Sequence, residues 1–306
     1  IVRPLKLKDK NNFLRGILIP VKIFSKMIFA YQNRINSIKL QEALNKQDFD
    51  ICHLTYYNTS IIKLLKGKPF VITVYDMIHE LFPDYFSDSP ISTFKAELIE
   101  KANKIIAISN NTKQDLLKIY KIQEDKVEVI HLGFSFQNRK IDIKKRQANL
   151  LPDEYILFVG QRKYQKNFTA FIKSTVPLLR KYKNLKIICA GSKPFDNEEK
   201  ELFGKLNLLK RIYHYSASDD FLFELYKNAI VFVFPSLYEG FGIPVLEAFS
   251  AGCPVACSNT SSLPEVAGDA AVFFDPYEKE SMYNSIDALI SGKDLREEMA
   301  VKGYER

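Results

Sequence analysis

The sequence predicts an α/β protein made of two Rossmann-like domains, each with a doubly wound parallel sheet. Three observations carry this. From Asp50 onward, short apolar runs alternate with stretches of helical spacing, the pattern of repeated strand–helix units. Val231-Phe232-Val233-Phe234 is apolar at every position, as a strand covered on both faces requires. Between the two alternating regions, a polar and charged segment from Gln137 to Arg146 reads as a linker. The expected domains are residues 1–140 and 150–306.

Bulk properties agree with this size and class. The 306 residues suffice for two ordinary domains, and 46% hydrophobic against 26% charged residues is a globular composition. Lys and Arg number 44 against 36 Asp and Glu, a net +8 that favours anionic partners such as nucleotide phosphates or an anionic lipid surface. Nucleic acid is not expected as a partner, because no RNA-binding aromatic motif, recognition helix or finger spacing is present. No apolar run is long enough to span a bilayer, and no tripartite signal peptide is found. Cys52, Cys189 and Cys257 lie in apolar runs and read as reduced core residues of a cytoplasmic protein. Cys253 and Cys257 have the wrong spacing for a zinc pair.

Taken in order, Leu14 to Ile35 carries Leu14, Ile17, Val21, Phe24, Ile28 and Tyr31 at helical spacing with basic residues interleaved. It reads as a helix packed on the first domain or as one lying on a membrane surface. In the first domain, strands are expected at 51–54, 69–75, 104–108 and 127–131. Helices are expected at 93–103 and at 112–120, the latter capped by Asn110. The second domain starts with a strand at 155–160 and a helix at 168–182. A strand at 185–191, a helix near 198–208, a strand at 212–215 and a helix at 219–229 follow. After the strand ending at Phe234, Pro235 breaks the run, and a helix from Val245 to Ala251 ends at Gly252. A strand at 255–258, a loop with Pro264, a strand at 271–274 and helices at 281–290 and 295–302 complete the chain.

Three loops carry candidate chemistry. In Tyr238-Glu239-Gly240-Phe241-Gly242 the two glycines let the backbone approach a ligand closely, and the following helix start favours an anion such as a phosphate. Glu239, in the loop, and Glu247, within the helix, can accept hydrogen bonds from sugar hydroxyls; their plainer roles are solvated residue and helix cap. Gly160 to Asn167 leaves the C-terminal end of a strand, where open α/β sheets bind ligands. There Arg162 offers a planar fork of donors and Lys166 a point charge, a pair suited to a diphosphate or to a solvated basic loop. Asp76 and His79, after another strand, could bind a hydroxyl or assist its proton loss, or could cap a helix and lie on the surface. His53, His131 and His214 read as structural.

EGFGIPVLEAFSAGCPV resembles the E-x7-E motif of the retaining family-4 glycosyltransferases of the GT-B fold. The continuation from Ser258 to Pro276, VGQRKYQKNF at 159–168 and VITVYDMIHELFP at 71–83 are similar to the same family, in the same order. The resemblance implies a GT-B architecture, two domains facing a cleft, with the donor on the second domain and the acceptor on the first. It implies that Arg162 and Lys166 hold the leaving diphosphate together with the backbone at Gly240, Phe241, Gly242 and Ile243, and that Gly160 lines the same site. By the same resemblance Glu239 lies against the donor sugar, Glu247 accepts from the ribose hydroxyls, and Ala217 and Leu222 contact the base. Arg162 and Lys166 stand closer together than in many members. Many members have His where this chain has Tyr75, which moves the acceptor-side role to Asp76.

The glycine-rich loop that usually follows the family's first strand is not found, so the first domain is expected to lack that strand and loop. Asp48-Phe49-Asp50 precedes a strand instead of following one, so it reads as a polar turn and no metal is expected. The implied function is retaining transfer of a hexose, of mannose or glucose type, from a nucleotide-diphosphate sugar to a lipid-linked or polysaccharide acceptor. No separate cofactor is implied, and the inner face of the cell membrane is an expected partner surface. The alternative is a non-catalytic nucleotide-sugar-binding protein or an inactive fragment of such an enzyme. A nicotinamide oxidoreductase is disfavoured by the absence of G-x-G-x-x-G after an early strand.

Overall fold

A computed structural model of the chain describes residues 31, 32, 34–134, 136, 151–191 and 193–306. Most of the amphipathic stretch from Leu14 to Ile35, and all of the linker segment 137–146, lie outside the described residues. Among the described residues no helix is long and apolar enough to cross a membrane. The chain divides into two compact units. The smaller comprises the residues up to Cys52 together with Asn58–Phe70. Its helix α1 covers residues 34–46, and α2 is Ile61–Leu65. Leu44, Ile61 and Leu65 are buried. Gln47 Nε2 donates to the Leu64 carbonyl at 2.9 Å, and Lys68 Nζ donates to the carbonyls of Gln47 and Phe49, its ammonium lying 4.7 Å from the Phe49 ring. Asp48-Phe49-Asp50 therefore belongs to a turn organised by Lys68, ahead of the first strand.

The larger unit comprises His53–Tyr57 and Val71–Arg306. Strands β1 (Cys52–Leu54), β2 (Phe70–Val74), β3 (Lys104–Ala107) and β4 (Val127–Val129) form a sheet in that spatial order. β2 and β3 pair in parallel with Val71 opposite Lys104, and β3 and β4 in parallel with Ile105 opposite Val127. The connecting helices are α3 (Ile78–Leu81), which the apolar pattern does not announce, α4 (Ile91–Lys101) and α5 (Asn110–Tyr120). The cap of α5 is Ser109, not Asn110. Ser109 has extended backbone angles and its hydroxyl accepts from the Thr112 amide at 3.0 Å, which leaves Asn110 inside the helix.

The second sheet has six parallel strands in the order β10-β9-β8-β5-β6-β7. They are β5 (Tyr155–Val159), β6 (Lys186–Ala190), β7 (Ile212–Tyr215), β8 (Val231–Phe234), β9 (Val255–Ser258) and β10 (Ala271–Phe274). Successive side chains point to opposite faces. Tyr155, Leu157, Phe232, Phe234, Val255 and Cys257 enter one core, while Ile156, Phe158, Val231, Val233 and Ala256 enter the other. The first core is roofed by α8 (Asp219–Lys227), α9 (Ile243–Ser250) and α10 (Leu263–Ala267). The second is roofed by α6 (Phe168–Lys181), α7 (Asn197–Lys205), α11 (Lys279–Ser291) and α12 (Lys293–Glu305). Helices on both faces make the sheet doubly wound and explain the uninterrupted apolar run of β8. Pro264 starts the short helix α10 where a loop was expected, since proline is tolerated in a first helical turn. Cys189, Cys253 and Cys257 are buried, whereas Cys52 is only half-buried.

Candidate active site

The strand order creates the site. The chain lays down β5, β6 and β7 in one direction, then returns to place β8, β9 and β10 on the other side of β5. β5 and β8 are neighbours, with Ile156 opposite Val231, and the helices that follow them pack on opposite faces of the sheet, the kind of place where open α/β sheets bind ligands. The loops that follow these two strands carry Lys166 and Glu239. The Leu237 amide donates to the Gln165 carbonyl at 2.7 Å and ties one loop to the other. Lys166 Nζ lies 2.5 Å from Glu239 Oε1 and 5.2 Å from the Phe234 ring centre. The two side chains retain only 20% and 12% of their exposure, so the pair is largely desolvated.

The turn after β9 fixes the Glu239 loop. The Glu239 amide donates to Ser261 Oγ at 2.9 Å, and Ser262 Oγ sits as donor 2.9 Å from the Glu239 carbonyl and 2.7 Å from that of Phe241. Gly242 then starts α9 at φ 117°, a conformation that favours glycine, and no side chain caps the helix. Pro244 has no N–H and the Val245 amide donates to the Gly242 carbonyl at 2.9 Å, so the Ile243 amide is what this first turn offers an arriving anion. The helix begins at Ile243, earlier than the Val245 expected, which puts Pro244 in its first turn. Phe241 is buried and its ring packs 5.6 Å from His131, so its ring belongs to the core and only its backbone is left for a ligand. Glu247 Oε2 accepts from the hydroxyl of the fully buried Tyr226 at 2.9 Å. Burial pushes the Glu247 carboxyl above the usual range, the Tyr226 hydrogen bond opposes this, and the Asp219 charge adds to it.

Gly240 brings the Asp76 loop to the same place. A β-carbon on Gly240 would stand 1.8 Å from the Tyr75 carbonyl oxygen and 3.0 Å from Asp76 Cβ. The start of α5 reaches the loop too, through Thr112 Oγ1 to the Gly240 carbonyl at 3.3 Å and Tyr238 OH to Asp115 Oδ2 at 2.7 Å. Asp76 Oδ1 accepts from the Ile78 amide at 3.1 Å, so it does serve the start of α3. Beneath it lies Lys95, fully buried, which donates to the Asp76 carbonyl at 2.8 Å and to Glu80 Oε2 at 2.9 Å, with Asp76 Oδ1 at 3.9 Å. Tyr120 OH donates to Glu80 Oε1 at 3.0 Å. Lys95 was missed because a lone lysine reads as solvated; its i, i+3, i+4 spacing to the buried Leu98 and Ile99 is the signal that puts it on the inner face. His79 Nδ1 is buried with no hydrogen-bonding partner among the described residues, and the ring lies 4.5 Å from that of Phe86. Burial, then the Lys95 charge, hold the His79 pKa below the ordinary value, which leaves the imidazole neutral at pH 7.

Other expected residues lie apart from this pair. Arg162 does not join Lys166 on a common group. Its Nε donates to Glu199 Oε1 at 2.6 Å and its Nη2 to the Lys193 carbonyl at 2.7 Å, with the guanidinium 4.8 Å from the Phe195 ring centre. The reason is the capping box of α7, in which Asp196 and Glu199 exchange backbone hydrogen bonds and so fix Glu199 against the arginine. Gly160, at φ 120°, ends β5 with its amide on the Ala190 carbonyl at 3.0 Å. Ala217 and Leu222 are half-buried against the first core where β7 gives way to α8. His53 bonds Thr73 Oγ1 at 2.8 Å and His214 the Gly191 carbonyl at 3.0 Å. Glu265, in α10, is a second missed residue: it accepts from the Asn110 amide at 2.9 Å, the Asn111 amide at 3.2 Å and His131 Nε2 at 2.7 Å. No local pattern announces a carboxylate whose partners lie more than a hundred residues upstream.

Comparison with known proteins gives the same architecture. The profile of Glycosyl transferases group 1 matches residues 140–306, and that of Glycosyltransferase Family 4 matches residues 4–137. O-antigen chain mannosyltransferase B of Escherichia coli is 26% identical over 250 residues, which cover 76% of this chain and 64% of that protein. The serotype-specific mannosyltransferase WbdA of Escherichia coli is 29% identical over 324 residues, covering 96% of this chain but 39% of its own length. This chain thus spans between roughly two fifths and two thirds of these relatives. Among solved structures, Anabaena HepE in complex with UDP and glucose superposes with a TM-score of 0.71 at 17% identity, covering 88% of this chain and 75% of that one. WaaG, a glycosyltransferase involved in lipopolysaccharide biosynthesis, gives 0.67 at 18% identity over 87% and 75%. The fold is GT-B.

Proposed function

This chain belongs to the group 1 glycosyl transferases, and from that premise we propose that it moves a mannose- or glucose-type hexose from a nucleotide-diphosphate sugar to a lipid-linked or polysaccharide acceptor, with retention at the anomeric carbon. Residues 150–306 bind most of the donor, and residues 1–140 hold the acceptor hydroxyl that receives the hexose. The observation that carries the reading is the Lys166–Glu239 pair at 2.5 Å, on the loops that follow the neighbouring strands β5 and β8. As the bond from the anomeric carbon to the diphosphate breaks, negative charge grows on the departing diphosphate. Lys166 and the uncapped start of α9 meet that charge with a preorganised cation and backbone dipoles, in a place largely dry. Glu239, released from Lys166 by the arriving diphosphate, accepts from hydroxyls of the donor sugar, and Glu247 accepts from the ribose. Asp76, which Gly240 brings against the same loop, takes the acceptor hydroxyl and assists the loss of its proton.

This reading needs no metal ion, because the chain's own groups supply the positive charge. The two mannosyltransferase relatives support a mannose donor and a cell-surface glycan as product. A lipid-linked acceptor would draw the enzyme to the inner face of the cell membrane. The test is turnover of GDP-mannose, UDP-glucose and related donors by the protein, with Lys166→Ala and Glu239→Ala beside it. Each variant is expected to lose about 10²–10³ in kcat, the scale for one preorganised charge-stabilising group. Unchanged turnover in both removes the site assignment, and a rate that collapses on adding EDTA removes the metal-free reading.

A further inference from the structure

The loop that bears Lys166 also lines a cavity of about 540 Å³, within the range of sites that hold small ligands. Tyr85 and Tyr164 form its aromatic side. Their ring centres are 5.2 Å apart, and the two residues are 45% and 50% exposed, although aromatic rings of this size ordinarily bury such surface. Tyr164 also adopts φ 54°, a backbone conformation unfavourable for a bulky side chain. The polar side carries Asp196, Glu198 and Glu199 with Arg162 and Lys163. Arg162 is already committed to Glu199, and Lys163 Nζ lies 3.7 Å from Asp196 Oδ2. Carboxylates outnumber cations, so the cavity is unsuited to a phosphate. Aromatic rings together with carboxylate acceptors and an ammonium donor suit a neutral ligand that is apolar on its flat faces and hydroxylated at its edge. A pyranose is such a ligand. Leu237 lines the cavity two residues before Glu239, which links it to the reaction centre.

We infer that this cavity binds a sugar unit of the acceptor glycan, at a distance from the hydroxyl that receives the transferred hexose. The inference rests on the glycosyl-transfer reading above and gives its acceptor a length. A chain that occupies both the cavity and the centre is held at two points, and the second contact raises affinity without touching the reacting atoms.

The experiment is saturation-transfer NMR of the full chain with mannopentaose and with maltopentaose, on wild type, Tyr85→Ala and Tyr164→Gly. Glycine at 164 removes the ring and accepts the positive φ. One of the pentasaccharides is expected to bind wild type in the millimolar range and to weaken about tenfold in each variant, as loss of an aromatic contact predicts. The shift in melting temperature produced by GDP or UDP is expected to be the same in Tyr85→Ala as in wild type. Should Tyr164→Gly fail to fold, Tyr85→Ala decides alone. Absence of binding by both pentasaccharides to wild type overturns the inference, and so does equal binding by wild type and the variants. Neither result touches donor turnover in Lys166→Ala and Glu239→Ala, which is where the broader reading stands or falls.

Discussion

The carbonyl of Tyr75 occupies the space a β-carbon on Gly240 would need, at 1.8 Å from it. The loop that bears Glu239 and the loop that bears Asp76 meet backbone to backbone, and the obstacle cannot rotate away as a flexible side chain would. Gly240→Ala is therefore expected to drive the loops apart. Urea denaturation should show a loss of about 1–3 kcal/mol, as for other overpacked sites, and kcat should fall further than donor KM rises. Gly204→Ala in α7 is the control, because its β-carbon would meet only Leu209 Cδ1 at 3.9 Å. It should stay within about 1 kcal/mol of wild type. Equal behaviour of the two variants would mean the close approach is not what holds the loops together.

Lys166 and Glu239 make separate predictions for stability and for catalysis. Each leaves the other charged and mostly desolvated when removed, so Lys166→Met alone and Glu239→Gln alone should each cost about 3 kcal/mol in chemical denaturation. The double variant removes both charges and should recover most of that loss. Turnover should not recover, because both groups are used in the transition state. A double variant that regained activity with stability would make the pair a structural bridge only.

Strand positions were legible because β5, β6, β8 and β9 are buried on both faces and announce themselves as apolar runs. The Glu239 loop was legible because glycine, proline and acid fall close together in sequence. What was not legible depends on distant partners. The pairing of Arg162 with Glu199 was hidden because nothing in the arginine's loop discloses a partner placed by a capping box 37 residues on. Asn110 looked like the cap of α5 because asparagine is a good cap, yet Ser109 precedes it and takes the role, leaving the first helical amides to Glu265. Helix α3 is a single turn, too short for a period to show.

Lys95 is the buried support of the Asp76 loop, fully enclosed, with Glu80 at 2.9 Å and the Tyr57 ring centre at 5.1 Å. Lys95→Met leaves Glu80, 7% exposed, without its cation, and should cost about 3–5 kcal/mol. Adding Glu80→Gln should return a large part of this, since the amide oxygen can still accept from Tyr120. The double variant keeps the fold but loses the donor to the Asp76 carbonyl. Its acceptor KM should rise while donor binding stays at the wild-type level. Wild-type acceptor kinetics in a well-folded double variant would show that Asp76 is positioned without Lys95.

Glu265 gives the pH dependence of the fold a specific source. Burial alone would raise its carboxyl pKa, but the Asn110 amide, His131, the Asn110 side chain and the Asn111 amide outweigh it and hold the value below the ordinary glutamate range. A depressed folded-state pKa means the stabilisation is fully present above the unfolded value, about 4.3, and is lost as pH falls through the folded value. Glu247 has the opposite sign. Its raised pKa means that the protonated form suits the fold, so its contribution weakens as pH rises from the ordinary range through the folded value. Urea midpoints measured from about pH 7 down to pH 3 should therefore show Glu265→Gln less stable than wild type at neutral pH, with a shallower acid limb. Glu247→Gln should be as stable as wild type or more so at neutral pH. If Glu265→Gln kept the wild-type slope at acid pH, the carboxylate at the start of α5 would not be the group whose protonation loosens the fold.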